Sequence, residues 1–458
     1  MSKTMRAAVR FLLASIVPAA TVGCMEPLQS GGVDILGDPS ERLGSLCKFR
    51  RQTDGFCASG EEEQAGAGAR VRRMTKAEEG LRGPYASGQA GDYLLENNEI
   101  AVVISRVDRT VVSSLRGALL DAGSARDRVD ALGAMRAEIG DGTGTPAYDA
   151  ITSGVGADGS AWVEASGSRL HGSEAMGMRV RTRYTLAPGA RAVIVSTAVE
   201  GAGDGGPEAI DLGDQICWGG ATPGAPAGAL PVGVAIDPQG KEALRFNAPY
   251  VLGVGAAVGY AVTADGSPFT SVHVGPCTTT QLARGRALTP GATVSYERLF
   301  VVAPRGDTAA VATELFFLAG GSPGGVEIDI AWGASGAAGS GAAGAGAARV
   351  GARVLLERGA SQGAEETAFP DPSPLWLSVP REGVAGGELP PGQYTLRLDG
   401  PGIASEPVVA SVEAGKVTKV SLAVIPKAAP VVETGASAPG AAPAAAPAPS
   451  ATGPRHDI

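Results

Sequence analysis

The sequence predicts an all-β protein, a large sandwich or barrel body followed by a small β-sandwich, with few short helices. Three observations carry this. Short β-branched and apolar segments recur, several with period-two alternation. Gly and Pro punctuate them as turns, filling 68 and 32 of the 458 positions. Only two segments, 125–139 and 308–319, have helical spacing, the second with Asp307 as N-cap and Gly320-Gly321 as stop. The length is a prior for two or three domains.

The chain opens with Lys3, Arg6 and Arg10, an apolar stretch over 11–22, then Gly23 and Cys24. That stretch is shorter than the roughly 20 helical residues needed to span a bilayer. Residues 1–23 read as a signal peptide. Gly23-Cys24 resembles a bacterial lipobox, which implies acylation of Cys24 and anchoring in a membrane. Thr21 departs from the aliphatic residue usual there, and plain secretion or a periplasmic location is the alternative. Glu26 is not immediately next to the cysteine, so an outer-membrane or cell-surface address is expected.

Residues 24–67 read as a tether. Four further cysteines, Cys47, Cys57, Cys217 and Cys277, are an even count in an exported chain and allow three pairings. Local loop closure favours Cys47 with Cys57, leaving Cys217 with Cys277; buried free thiols are the alternative.

The large body is expected over 68–321. Tyr93-Leu94-Leu95 and 100–104 form a hairpin around the turn Glu96-Asn97-Asn98-Glu99. Residues 178–185 and Val193-Ile194-Val195 form a second around Ala187-Pro188-Gly189-Ala190. In its first arm Val180, Thr182 and Tyr184 alternate with Arg179, Arg181 and Arg183, one buried face and one wet face. Residues 294–302 form another strand. A small sandwich is expected over 322–424, from 350–356, Tyr394-Thr395-Leu396-Arg397-Leu398 and 417–424. The Gly/Ala stretch 333–348 is a flexible linker or loop, and 425–458 an Ala/Pro-rich disordered tail.

Several blocks resemble one family. They are Gly83-Pro84, Gly91-Asp92-Tyr93-Leu94-Leu95-Glu96-Asn97-Asn98, Ala118-Leu119-Leu120-Asp121, Tyr184-Thr185-Leu186-Ala187-Pro188-Gly189, Leu212-Gly213-Asp214, Trp218-Gly219-Gly220 and Tyr296-Glu297-Arg298-Leu299-Phe300-Val301-Val302. In that order they resemble the β-rich region of myxobacterial-type surface lipoproteins that precedes a carboxypeptidase regulatory-like domain and often a CehA/McbA-type PHP metallohydrolase. The resemblance implies a fold similar to the super-sandwich of mutarotase-like proteins for 70–320. It also implies an Ig/transthyretin-like regulatory sandwich for 322–424, with Val326 to Ile330 as first strand and 333–348 as an internal loop. Val350-Gly351-Ala352-Arg353-Val354 and Leu389-Pro390-Pro391-Gly392-Gln393-Tyr394-Thr395-Leu396 carry the second likeness. The hydrolase module is absent. The chain has three histidines, His171, His273 and His456, none in an HxH pair.

Chemistry is sparse. The formal net charge is −9, which argues against nucleic acid as partner. No HxxxH, CxxC or EF-hand loop appears, so no metal or cofactor is expected. Gly359-Ala360-Ser361-Gln362-Gly363 matches the nucleophile-elbow pattern, and Gly154-Val155-Gly156-Ala157-Asp158-Gly159 and Gly201-Ala202-Gly203-Asp204-Gly205-Gly206 match a dinucleotide fingerprint. None has the required strand-to-helix context, and glycine abundance explains all three. Asp214 near Trp218 is a candidate glycan site, because an aromatic face stacks on sugar C–H surfaces. The alternative has Asp214 capping a turn and Trp218 packed in the sandwich.

Two functions follow. The first is a non-catalytic envelope lipoprotein whose modules bind glycan, cell-wall polymer or a protein partner, with no catalytic residues. The second is a carbohydrate-active enzyme, mutarotase- or lyase-like, using carboxylates and tyrosines of the 68–321 body. A cleft converging Tyr184, His171, Asp214 or Glu297 would mark the second.

Overall fold

A computed structural model describes residues 68–109, 113–139, 144–170, 178–201, 209–226, 229–236, 242–264, 268–332, 351–359, 370–380 and 384–426. The leader with Cys24, the tether with Cys47 and Cys57, the 333–348 stretch, the segment after 426, His171 and His456 lie outside these residues.

The described chain is mostly strand. Two large antiparallel sheets make the first body. One has ten strands in the order Arg70–Arg73, Tyr93–Glu96, Ile100–Ile104, Leu119–Ser124, Ala134–Ile139, Ala209–Cys217, Cys277–Ala287, Phe269–Val274, Glu242–Ala248, Leu230–Ile236. The other has eight: Thr222–Gly224, Tyr250–Val254, Gly259–Thr263, Thr293–Ala303, Ala192–Gly201, Met178–Leu186, Ala161–Gly167, Ala150–Val155. Between the sheets lies a core with Leu95, Val102, Met135, Ile216, Trp218, Val195 and Phe300.

Both expected hairpins form. Asn97 Oδ1 accepts from the Glu99 and Ile100 amides at 2.8 and 2.9 Å and closes the first turn. Its Nδ2 donates to the Ala187 and Ala190 carbonyls at 2.8 and 2.9 Å, tying the first turn to the second. Val180, Thr182 and Tyr184 are buried while Arg179 and Arg181 are exposed, as the alternation requires.

The helical expectation for 125–139 is overturned. Ala134–Ile139 is a strand, and what precedes it is turn and irregular chain. The Ala- and Arg-rich composition suits a helix, but Met135, Ala137 and Ile139 bury at period two against Ile216, Asp214 and Leu212. Tertiary burial overrides local propensity.

The helix expected at 308–319 does form, as α1 (Thr308–Leu318). Asp307 caps it, accepting from the Ala310 amide at 2.7 Å. Ten of its eleven residues are buried, because it is a wedge rather than a surface helix. Ala310, Val311, Leu315 and Leu318 join the first core, and Ala309 and Ala312 join the second.

The second body packs Gly324–Ala331, between Val384–Leu389 and Val417–Ala423, against a sheet centred on Arg353–Arg358 and Gly392–Gly400. Gly324–Ala331 pairs in parallel with Val417–Ala423. Val326, Ile328, Val354, Leu377, Leu396 and Leu422 form its core. Hydrogen bonds fasten the bodies through α1. Ser378 Oγ donates to Asp307 at 3.0 Å, and Thr313 Oγ1 to the Glu388 carbonyl at 2.6 Å.

Candidate functional site

Asp214 and Trp218 lie on the strand Ala209–Cys217 and just after it. Strand alternation sends Ile210, Leu212, Asp214 and Ile216 inward. Asp214 and Trp218 are both fully buried. Trp218 Nε1 donates to Thr278 Oγ1 at 2.7 Å, and a Cβ at Gly253 would come 2.2 Å from its ring. No ring face is open to a sugar, so the expected Trp218–Asp214 platform is corrected to core. Nor does Asp214 cap a turn. Its Oδ1 accepts from Arg298 Nη2 at 2.5 Å across the gap between the sheets, with Arg298 itself 1% exposed.

Around this ion pair stands a polar centre. Arg298 Nη1 donates to Val195 O at 3.0 Å and to Thr197 Oγ1 at 2.7 Å, and its guanidinium lies 4.3 Å from the Tyr296 ring centroid. Tyr148 joins Thr182 at 2.5 Å, and Thr182 joins Thr197 at 2.9 Å. Tyr184 donates to Gly117 O at 2.9 Å. Burial pushes Asp214 up from the usual carboxylate range, and the Arg298 charge opposes it. Such a centre braces two sheets; a solvent-borne substrate does not reach it.

The cysteine pairing Cys217–Cys277 is present, with Cα atoms 4.0 Å apart at directly opposed positions. His273 Nδ1 meets Thr278 Oγ1 at 2.5 Å beside the Phe246 ring, and burial lowers its pKa. It is a packing histidine. Among the described residues no His, Cys, Asp and Glu cluster could hold a metal ion.

The enzyme reading asked for convergence of Tyr184, Asp214 and Glu297. Tyr184 and Asp214 face the interior, whereas Glu297 alternates outward on the eight-stranded sheet, where it accepts from Ser196 Oγ at 3.0 Å. They do not share a cleft, and His171 lies outside the described residues. Of the glycine motifs, residues 360–363 and 202–206 are likewise outside. Gly154 to Gly159 runs from the end of an edge strand into a turn, without a helix.

What the sequence reading missed is the other face of the ten-stranded sheet. Met135, Ala137 and Ile139 point inward, so Arg136 and Glu138 point outward. The register carries this across five strands. Arg136 lies opposite Gln215, Gln215 opposite Thr279, Thr279 opposite Val272 and Val272 opposite Arg245. A second row runs Glu138, Gly213, Gln281, Thr270, Asn247. Most of these side chains are half-buried, and Glu138 is only 4% exposed. Yet Glu138 Oε2, Arg136 Nε and Arg245 Nε have no hydrogen-bond partner among the described residues. Buried polar groups are normally paired, and such unpartnered atoms also occur in the internal centre, at Asp214 Oδ2 and Arg298 Nε. Burial pushes Glu138 up to about 7, with the Arg136 charge opposing and Asp214 adding to the rise.

The rest of that outer face is closed. Met74 and Leu81 pack on Leu94, Ala101, Val103 and Leu120. Asp121 fixes the covering segment by accepting from the Ser87 and Gly88 amides, each at 2.8 Å. The outer face of the eight-stranded sheet carries Arg179, Arg181 and Arg183, with Glu200 and Glu164 about a long ion pair away, both at 4.0 Å. Arg183 lies over the Trp162 ring at 4.1 Å.

Fold and site thus define a class: a two-body all-β protein with an internal ion-pair brace and a half-buried polar face on the outside of the ten-stranded sheet. No family model matches the chain, and no curated protein does. Among solved structures, the Slr1438 protein of Synechocystis is similar at 10% identity, over 49% of this chain and 100% of that one, with a TM-score of 0.33. A protein assigned as an aldose 1-epimerase from Klebsiella pneumoniae shares 11% identity over 54% of this chain and 94% of its own, at 0.30. A GH36 α-galactosidase from Geobacillus stearothermophilus shares 12% over 53% and 43%, at 0.29. Likenesses this distant carry no argument about substrate.

Proposed function

We propose that this is a non-catalytic envelope protein that binds a glycan on the polar outer face of the ten-stranded sheet. The observation that carries the reading is the pair of polar rows that register aligns across five strands. Hydroxyl-rich ligands are recognised by such converging amides, hydroxyls and charged groups. Gln215, Thr279, Gln281 and Asn247 supply donors and acceptors, and Gly213 leaves the position beside Glu138 in the second row without a side chain. Acylation at Cys24 would hold the chain at the outer membrane or cell surface; the mass of the mature N-terminus tests it.

A second reading has its own support. Glu138 titrates near 7 beside Arg136, where a general acid would work. One experiment weighs both. The full-length chain is incubated with a panel of envelope and plant-type glycans, and retention and product masses are read together. Retention without a mass change that is lost in Gln215→Ala/Gln281→Ala supports binding. New masses lost in Glu138→Gln move the assignment to an enzyme. Neither retention nor turnover overturns both and leaves a protein partner.

A further inference from the structure

We infer that the glycan held on this face is an acidic one, an oligouronate lying across the strands with its carboxylates read by Arg136 and Arg245. The inference rests on the proposed glycan site and names its ligand class. Arg136 and Arg245 close the two ends of the first row, each half-buried and neither within 4 Å of a carboxylate among the described residues. A guanidinium presents its paired Nη–H groups as a fork that fits a carboxylate bidentately, which an isolated hydroxyl cannot match. On the outer face of the other sheet Arg179 and Arg183 have carboxylates at 4.0 Å, whereas neither Arg136 nor Arg245 has one within that distance among the described residues. An anion site here also runs against the net charge of −9.

The register sets the ligand's length and direction. Arg136 and Arg245 are four strand-to-strand steps apart, about 19 Å at the usual spacing. A monosaccharide cannot bridge that span, whereas a short oligosaccharide can. Between the guanidinia lie Gln215, Thr279 and Val272, with Glu138, Gln281, Thr270 and Asn247 alongside, and the amides and hydroxyls among them suit ring hydroxyls. Thr270 Oγ1 donates to Asn247 Oδ1 at 2.8 Å, which orients that amide.

The test uses the full-length chain and oligogalacturonates of two to six units, each compared with its carboxyl-reduced counterpart. Calorimetry or fluorescence reads the dissociation constant. The longer acids should bind at least tenfold tighter than their reduced forms. Arg136→Gln and Arg245→Gln should each weaken the hexamer about tenfold and erase most of that preference. The dimer, unable to reach both ends, should lose affinity to only one substitution. Arg181→Gln, on the opposite outer face, should change nothing. Equal affinity for acidic and reduced chains overturns the inference while leaving the glycan site standing. No binding of either overturns both. Equal binding of inorganic polyphosphate, or loss of binding in Arg181→Gln, marks plain ion exchange and also overturns it. The acid-to-reduced comparison needs only the unaltered protein, so it decides even if a variant fails to fold.

Discussion

Asp214 and Gln215 are neighbours on one strand, and they belong to opposite worlds. Asp214 points between the sheets and meets Arg298 at 2.5 Å, while Asp214 Oδ2 and Arg298 Nε keep no partner. Gln215 points outward into a row whose two arginines each keep a buried Nε–H without a partner. The internal centre is dense in tyrosine, carboxylate and guanidinium, which is the composition usually sought for an active site. It is closed between the sheets, and its carboxylate and guanidinium pair with each other. The outer rows are less conspicuous, but their demand for partners is unmet. An ion pair closed between two sheets serves the frame, whereas guanidinia on an outer face with no carboxylate at ion-pair distance can pair with a ligand.

The comparison breaks if the internal pair proves dispensable. Asp214→Ala should cost about 3–5 kcal/mol, because it leaves Arg298 charged and buried. The paired replacement Asp214→Leu/Arg298→Met should recover much of that, since an apolar pair removes the desolvation cost on both sides. Denaturant titrations read both, and a mild effect of the single change would mean that the centre is wet and accessible. Trp218→Ala should cost about 3–5 kcal/mol, as for other large buried aromatics. If it instead left stability intact and removed glycan retention, the assignment of Trp218 to the core would fall.

Removing the Cys217–Cys277 bridge, as Cys217→Ala/Cys277→Ala, should cost about 2–4 kcal/mol for a loop of this length. That bridge closes 60 residues and ties together the strands that carry Gln215 and Thr279. Melting temperature reads the first effect and glycan affinity the second.

A smaller effect is pH-dependent. Burial raises Glu138 from its ordinary 4.5, and Asp130 from 3.8, to about 7 in both cases. The unfolded chain releases these protons near pH 4, and the folded chain keeps them until about 7. Their contribution is therefore fully present below pH 4 and is lost as pH rises through 7. Glu138→Gln/Asp130→Asn should make stability less sensitive to pH between 4 and 7 than in the parent, by parallel melts. An unchanged slope would show that the two carboxyls are solvated. Smallest of all, Arg136→Gln and Arg245→Gln should shift the melting temperature little, because no internal bond is lost. A large shift would make them part of the frame.

Much of the frame was legible in the sequence. Period-two alternation in 178–185 and an Asn-rich turn at 97–98 need only neighbouring residues to express themselves, and both hairpins form. Asp307 and Gly320 bracket α1 for the same local reason. Residues 134–139 were misread because a helix-suited composition was outweighed by burial against strand Ala209–Cys217, a partner more than 70 positions away. The pairing of Cys217 with Cys277 was reachable by counting cysteines; that it joins directly opposed residues was not.

The candidate site was not legible at all. Arg136, Gln215, Thr279, Val272 and Arg245 come from five strands and share no motif. They form a row only because register in an antiparallel sheet aligns positions distant in sequence. The sequence by itself determined the strand-rich class, the local turns and the helix, since alternation and capping act over a few residues. Only the tertiary structure decided which carboxylate is braced and which polar face is left open, because pairing and burial are properties of the packed sheets.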